Sequence, residues 1–253
     1  MNKIAARAVA LFFLFGVWAG AGSAMAERDG FAEANAAYEK GDFKTAADLY
    51  EELLRTHPPT AAARYNLGNA YFRLGEKGKA LLNYERALAA CPRDGDLAWN
   101  IRVLKSVLPD RLEGSNASGA GALAREALGF FSLNETCLLL GVFLFSAAAA
   151  ALFWFLFPRF KIIFKSLRTL FLALAFLTAL VAAAKWRDTK DPLAVVLVKE
   201  IDARYGPSQK ETKAFLLHEG AEARVLDESG DWFYVSLANK NAGWIPKSSC
   251  EAV

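Results

Sequence analysis

Cysteine and histidine are both scarce in this 253-residue chain, which has three cysteines (Cys91, Cys137, Cys250) and two histidines (His57, His218). The cysteines have no ligand-like spacing and cannot all pair, so neither a zinc site nor a disulfide framework is expected. The histidines lie on either side of a long apolar stretch, and no nucleophile with a supporting base and orienting group is evident around either. Reactivity at Cys91 or Cys250 would need such a base, and His218 reads as a turn residue near a strand end. A glycine-rich phosphate loop is also missing. The net charge of +3 is too small to argue for nucleic acid. These shortages argue against an enzyme, and no cofactor or metal is expected.

What is abundant is apolar, 54% of residues, and it is segregated. Lys3 and Arg7 precede an apolar run from Ala8 to Ala19, and Ser23-Ala24-Met25-Ala26 follows. A basic start, a short apolar core and small residues at Ala24 and Ala26 predict a secretory signal over 1–26, cleaved after Ala26. The alternative is an uncleaved signal anchor. In both cases the chain from Glu27 starts outside the cytoplasm. Two further blocks are expected to be transmembrane helices, at 135–157 and 162–184. From Cys137 to Phe157 there is no charge at all, a run long enough to cross a hydrocarbon core of about 30 Å. Pro158-Arg159-Phe160-Lys161 leaves room only for a tight hairpin. Its turn carries Arg159, Lys161, Lys165 and Arg168 with no acid, the composition of a cytoplasmic turn. Lys185, Arg187 and Lys190 weaken the contrast, and the signal sequence decides the orientation. Neither span carries the internal acid or base of a pump pathway.

Between 27 and 111 the chain repeats itself. Gly41 matches Gly75, Ala46 matches Ala80, Tyr50 matches Tyr84 and Pro58 matches Pro92, all at one constant interval. That interval is the period, roughly 34 residues, of a family of helix–turn–helix solenoid units. Leu67-Gly68, Tyr71, Leu74-Gly75, Ala80, Tyr84, Ala87 and Pro92 make the clearest copy, and it resembles the tetratricopeptide repeat (TPR) family. Gly68, Ala80 and Ala87 are small enough for close helix approach, while Leu67, Tyr71, Tyr84 and Leu88 fill the space between. A third copy begins near Gly95 and stops at Pro109, so it is expected to be one capping helix. The resemblance implies a peptide-binding groove along the first helix of each pair. Tyr65, Asn66, Asn69, Phe72 and Arg73 fall on that face, and Asn100 lies one repeat after Asn66, as a second rung. Ala32 at the corresponding place in the first copy leaves this ladder incomplete. The alternative is that Tyr65 and Phe72 only pack against neighbouring helices.

Residues 112–134 are expected to be a linker and juxtamembrane segment. Glu113–Ala122 has no large apolar side chain and reads as a flexible tether, and Arg125–Leu133 as a short amphipathic helix. From 191 to 253 the pattern becomes strand-like, with short apolar or alternating runs at Leu193–Val198, Ala223–Leu226, Asp231–Leu237 and Ala242–Pro246. Asp202–Ser208 reads as turn chemistry. A small all-β barrel is expected. Arg204-Tyr205-Gly206-Pro207-Ser208, Gly230-Asp231-Trp232 and Gly243-Trp244-Ile245-Pro246 resemble bacterial SH3-like (SH3b) domains. That resemblance implies an aromatic patch of Tyr205, Trp232 and Trp244 gripping a peptide or wall fragment; the alternative is that the tryptophans are core.

The expected architecture is therefore multidomain: an all-α TPR solenoid, a two-helix transmembrane hairpin and a C-terminal all-β SH3-like barrel. The module order resembles the TPR/SH3 component of bacterial aerotolerance (Bat) operons. It implies a non-catalytic scaffold in the cytoplasmic membrane, multi-pass, with both soluble modules facing the periplasm. Implied partners are membrane or periplasmic proteins, among them von Willebrand-type domain proteins and a MoxR-type ATPase, together with the lipid bilayer. Peptidoglycan contact, or service as an accessory subunit of an envelope enzyme or transport complex, are the alternatives.

Overall fold

The computed structural model describes residues 28–110, 129–188 and 192–253. The expected signal sequence over 1–26, the tether and the first four residues of the amphipathic segment, 125–128, lie outside the described residues.

Five helices form the N-terminal part: α1 over residues 28–39, α2 Phe43–Thr56, α3 Ala61–Leu74, α4 Lys77–Ala90 and α5 Gly95–Ser106. Their ends follow local chemistry. Asp42, Thr60 and Asp94 each accept a hydrogen bond from a backbone N–H of the following first turn, satisfying donors that the helix leaves open. Gly41 and Gly75, one repeat apart, take positive φ of 81° and 82° at the turn between the two helices of each pair. An L side chain disfavours that conformation, so the repeat period in sequence is a repeat of turn geometry. Inside the stack Ala46, Ala80 and Ala87 are fully buried, and Leu67, Tyr71 and Tyr84 nearly so. A Cβ at Gly68 would come within 2.5 Å of the Tyr84 ring, so α3 and α4 depend on glycine there for their close approach.

Two long helices follow, α6 Leu133–Leu156 and α7 Lys161–Asp188, joined by a 3-10 turn at Pro158–Phe160. At 1.5 Å per residue they are about 36 and 42 Å long. Both are long and apolar enough to cross a membrane, and only 11% and 6% of their apolar windows are buried. A core helix of a soluble protein would be covered; these expose Phe145, Phe155 and Ile162 almost completely. Ser132 and Glu135 close a capping box at the start of α6. Arg93 ties that end to the repeats, 2.5 Å from Glu135 and 3.1 Å from the Phe130 carbonyl.

The C-terminal part is one antiparallel sheet: β1 Leu193–Val196, β2 Glu200–Arg204, β3 Lys213–His218, β4 Glu222–Ser229, β5 Trp232–Ser236, β6 Ala242–Pro246 and β7 Cys250–Ala252. The spatial order is β3-β2-β6-β5-β4-β1-β7. The expected barrel is not closed: β3 and β7 remain edges. A physical reason lies at β7, which has three residues and whose Ala252 carbonyl is taken by Arg86 of α4. The stretch read as turn from Asp202 begins as strand, because β2 pairs with β3 through Arg204; the turn proper follows it.

Sheet and repeats are not separate beads. Ala194 and Val196 point into the sheet core, while Val195 between them joins Leu104 and Leu108 in the helical core. The run Leu193-Ala194-Val195-Val196 therefore has two buried faces, which is why it does not alternate. Around this strand Gly78 N–H donates to Glu219 at 2.8 Å and Arg86 pairs with Glu251 at 2.7 Å. Lys105 bridges Glu85 at 2.7 Å and Glu222 at 2.8 Å. Asp110 receives His218 N–H at 2.7 Å and sits 2.9 Å from its Nδ1. His218 is thus a strand-end residue that also joins the two parts.

Candidate peptide-binding groove and aromatic sheet face

The groove side of the repeats is built from α1 and α3, with α2 behind them. Asn66 and Asn69 of α3 meet Asn35, Tyr38 and Glu39 of the first helix and Tyr50 of α2 around a recess of about 160 Å³. The phenol of Tyr84 donates to Asn69 Oδ1 at 2.7 Å, and that of Tyr50 donates to Asn35 Oδ1 at 2.5 Å. Burial pushes both phenols above their ordinary range, so they remain protonated donors. Each amide's orientation is thereby fixed from behind. Asn35 Oδ1 also accepts from Asn66 Nδ2 at 3.0 Å, coupling the two helices at the recess.

The sequence-derived groove residues divide. Asn66 and Asn69 line the recess together. Asn100 lies apart from it and donates to Tyr65 Oη at 2.8 Å, and Tyr65 packs against the Tyr84 ring at 5.8 Å. Arg73 lies over the Phe43 ring at 4.2 Å. Phe72 is 41% exposed. Asn35 was missed, although it lies one repeat before Asn69; the ladder sought at the position of Ala32 runs one turn later. Such a polar residue stands out only once its tyrosine partner is known.

On the opposite side of α3 a second cleft of about 310 Å³ opens, with Arg55, Arg64, Lys79 and Arg86 around Glu51 and Glu251. Arg64 reaches Asn83 at 3.3 Å. Burial, with Arg86 nearby, lowers its pKa.

On the sheet, core and outer faces alternate along β5 and β6. Val235 and Ile245 are fully buried, so Trp232, Tyr234 and Trp244 share the outer face. Tyr234 stands opposite Trp244, with ring centroids 5.2 Å apart. Trp232 is opposite Pro246. Both tryptophans are half-buried and outside the core cluster. Tyr205, 69% exposed, follows Arg204, whose strand partner is Trp244. Tyr234, at the parity of Trp232 along β5, adds a ring that the expected patch of Tyr205, Trp232 and Trp244 does not include.

Cys250 is buried, and burial pushes its thiol up to about 11. Cys91 is exposed. Among the described residues no three His, Cys, Asp or Glu side chains group as metal ligands.

Paired helices recurring at one fixed interval, with a glycine at each intra-pair turn, define a helical-repeat protein of the kind that binds other proteins. Residues 31–95 match the family model of the tetratricopeptide repeat, so the chain carries TPR repeats. No curated protein was found to match the chain.

Proposed function

We propose that this protein is a non-catalytic adaptor, anchored in a membrane by the α6–α7 hairpin, that recruits protein partners through the groove of its TPR repeats. The observation that carries the reading is the recess at Asn35, Asn66 and Asn69, where Tyr50 holds the Asn35 amide, Tyr84 the Asn69 amide, and Asn35 in turn accepts from Asn66. Preset amides suit a peptide backbone, which offers a donor and an acceptor at every residue, and little ordering entropy remains to be lost on binding. The packed interface between repeats and sheet supports a hairpin that returns the chain to its starting side, because a shared core cannot straddle a bilayer. The acid-free turn supports placing that side outside the cytoplasm.

The finer reading, a periplasm-facing scaffold of a bacterial envelope stress or aerotolerance complex with von Willebrand-type partners, rests on the module order and its resemblance to the Bat components. Crosslinking in living cells, then affinity purification and mass spectrometry, tests the adaptor role. An envelope protein captured by wild type and lost in Asn66→Ala/Asn69→Ala supports it. An unchanged set of captured proteins refutes the groove as the recruiting site.

The outer aromatic face favours a second contact, because Trp232, Tyr234 and Trp244 offer a flat apolar strip to an extended peptide or a wall glycan. Sedimentation with purified wall sacculi distinguishes the two. Wild type that pellets, with Trp244→Ala left in solution, makes peptidoglycan the ligand of the sheet.

A further inference from the structure

The turn end of the hairpin concentrates cations with no acid nearby in sequence. Arg159 lies in the turn, and Lys161, Lys165 and Arg168 follow on α7, while no Asp or Glu occurs between Glu135 and Asp188. At 3.6 residues per turn, positions 161, 165 and 168 fall within an arc of about 60° and a length of about 10 Å. Helical side chains lean toward the N-terminus of their helix, which for α7 is the turn, so all three lean toward the turn end.

Arg168 shows what is missing there. It leaves an otherwise apolar stretch and crosses to α6, where its guanidinium lies 5.6 Å from the Trp154 ring centre. Its Nε is buried, with no hydrogen-bond partner among the described residues. A buried donor left unpaired costs free energy, and an anion meeting the other nitrogens of the same guanidinium offsets part of that cost. Trp154 supplies an amphipathic ring at the depth where headgroups begin.

We propose that this end of the hairpin binds the phosphate of an anionic phospholipid headgroup. Arg168 donates to the phosphate over Trp154, and Arg159, Lys161 and Lys165 surround it with positive charge. The assignment rests on the reading of α6 and α7 as membrane spans. It makes the hairpin a lipid-selective anchor and not only an apolar one.

The test uses the full chain reconstituted into vesicles of phosphatidylcholine alone and of phosphatidylcholine mixed with phosphatidylglycerol. Flotation reports membrane insertion, and mass spectrometry of the protein re-extracted in mild detergent reports the lipid it retains. Wild type is expected to float with both and to retain phosphatidylglycerol in preference. Lys161→Gln/Lys165→Gln/Arg168→Gln is expected still to float and to lose that preference by about fivefold per cation removed. The charge-preserving Lys161→Arg/Lys165→Arg should keep it, as should Arg187→Gln at the far end of α7. Equal retention of both lipids by wild type overturns the proposal, as does an unchanged preference in the triple variant or an equal loss in Arg187→Gln. Displacement of the retained lipid by glycerol phosphate at matched concentration would make the site one for free phosphate. Wild type that does not float removes the membrane reading itself.

Discussion

Tyr84 donates a 2.7 Å hydrogen bond to Asn69 from the helix behind the groove, and one repeat earlier Tyr50 does the same to Asn35. The repeat thus carries a polar rung as well as a packing pattern. Tyr84→Phe removes the donor and leaves the ring. It should cost about 1 kcal/mol of stability and weaken groove-dependent crosslinking, with the helix content of circular dichroism unchanged. Full capture by the phenylalanine variant would mean that the orientation of Asn69 is irrelevant to binding.

Leu108 packs against Gly220, where an added Cβ would lie 2.6 Å from its Cδ2 and where φ is +82°. Gly220→Ala is therefore strained in backbone and in contact, and Leu108→Ala should cost about 2–5 kcal/mol. Because repeats and sheet share a core, both variants should lower the melting of the helices and of the tryptophan-bearing sheet together. Helix ellipticity and the fluorescence of Trp232 and Trp244, with the other four tryptophans replaced by phenylalanine, monitored in one thermal scan check this. Two transitions, of which only one moves, would show that the modules unfold independently.

Lys105 stands between Glu85 and Glu222. Burial alone would lower its pKa, but the two carboxylates outweigh that and raise it. A cation whose folded pKa lies above its unfolded value stabilises fully below the unfolded value, here about 10.5, and the contribution is lost as pH rises through the folded one. Burial raises Glu222, so its protonation becomes favourable in the fold as pH falls toward the ordinary carboxylate value. Lys105→Met should destabilise by about 1 kcal/mol at neutral pH, a modest cost because Lys105 is 39% exposed and screened. The deficit should shrink on acidification, as Glu222 takes up a proton more readily than an exposed carboxylate. Chemical denaturation across pH measures it, and a deficit that grows in acid would contradict the assignment.

Cys91 is exposed, whereas the buried Cys250 thiol, pushed up to about 11, is almost wholly protonated at neutral pH. In a Cys137→Ala background a membrane-impermeant maleimide should label Cys91 in intact spheroplasts, and Cys250 only after denaturation. Labelling of Cys91 only after lysis would place the repeats in the cytoplasm.

Much of this was legible in the order of residues. Gly41 and Gly75 mark the turns, because their conformation is local and few other residues adopt it. Leu133–Leu156 and Lys161–Asp188 follow from composition, since an uninterrupted apolar run satisfies its backbone within one helix. Alternation along each strand sets Trp232 apart from Val235 and Trp244 apart from Ile245, but the register of β5 on β6 is what puts both tryptophans on one face. The groove was half legible. Asn66 and Asn69 could be placed by helical spacing, but the use of Asn100 on Tyr65, and of Arg73 on Phe43, depends on neighbours distant in sequence.

By itself, then, the sequence determined what depends on near neighbours: the helical repeat and its period, the two apolar helices with their acid-free turn, and the alternation of the C-terminal strands. Only the tertiary structure decided that the sheet stays open at β7, that Val195 belongs to the helical core, and that Asp110, Lys105 and Gly78 bind the sheet to the repeats. Those contacts join residues far apart along the chain, Gly78 with Glu219 and Asp110 with His218 among them. Periodicity fixes which face of an element is apolar; it does not say which other face will cover it.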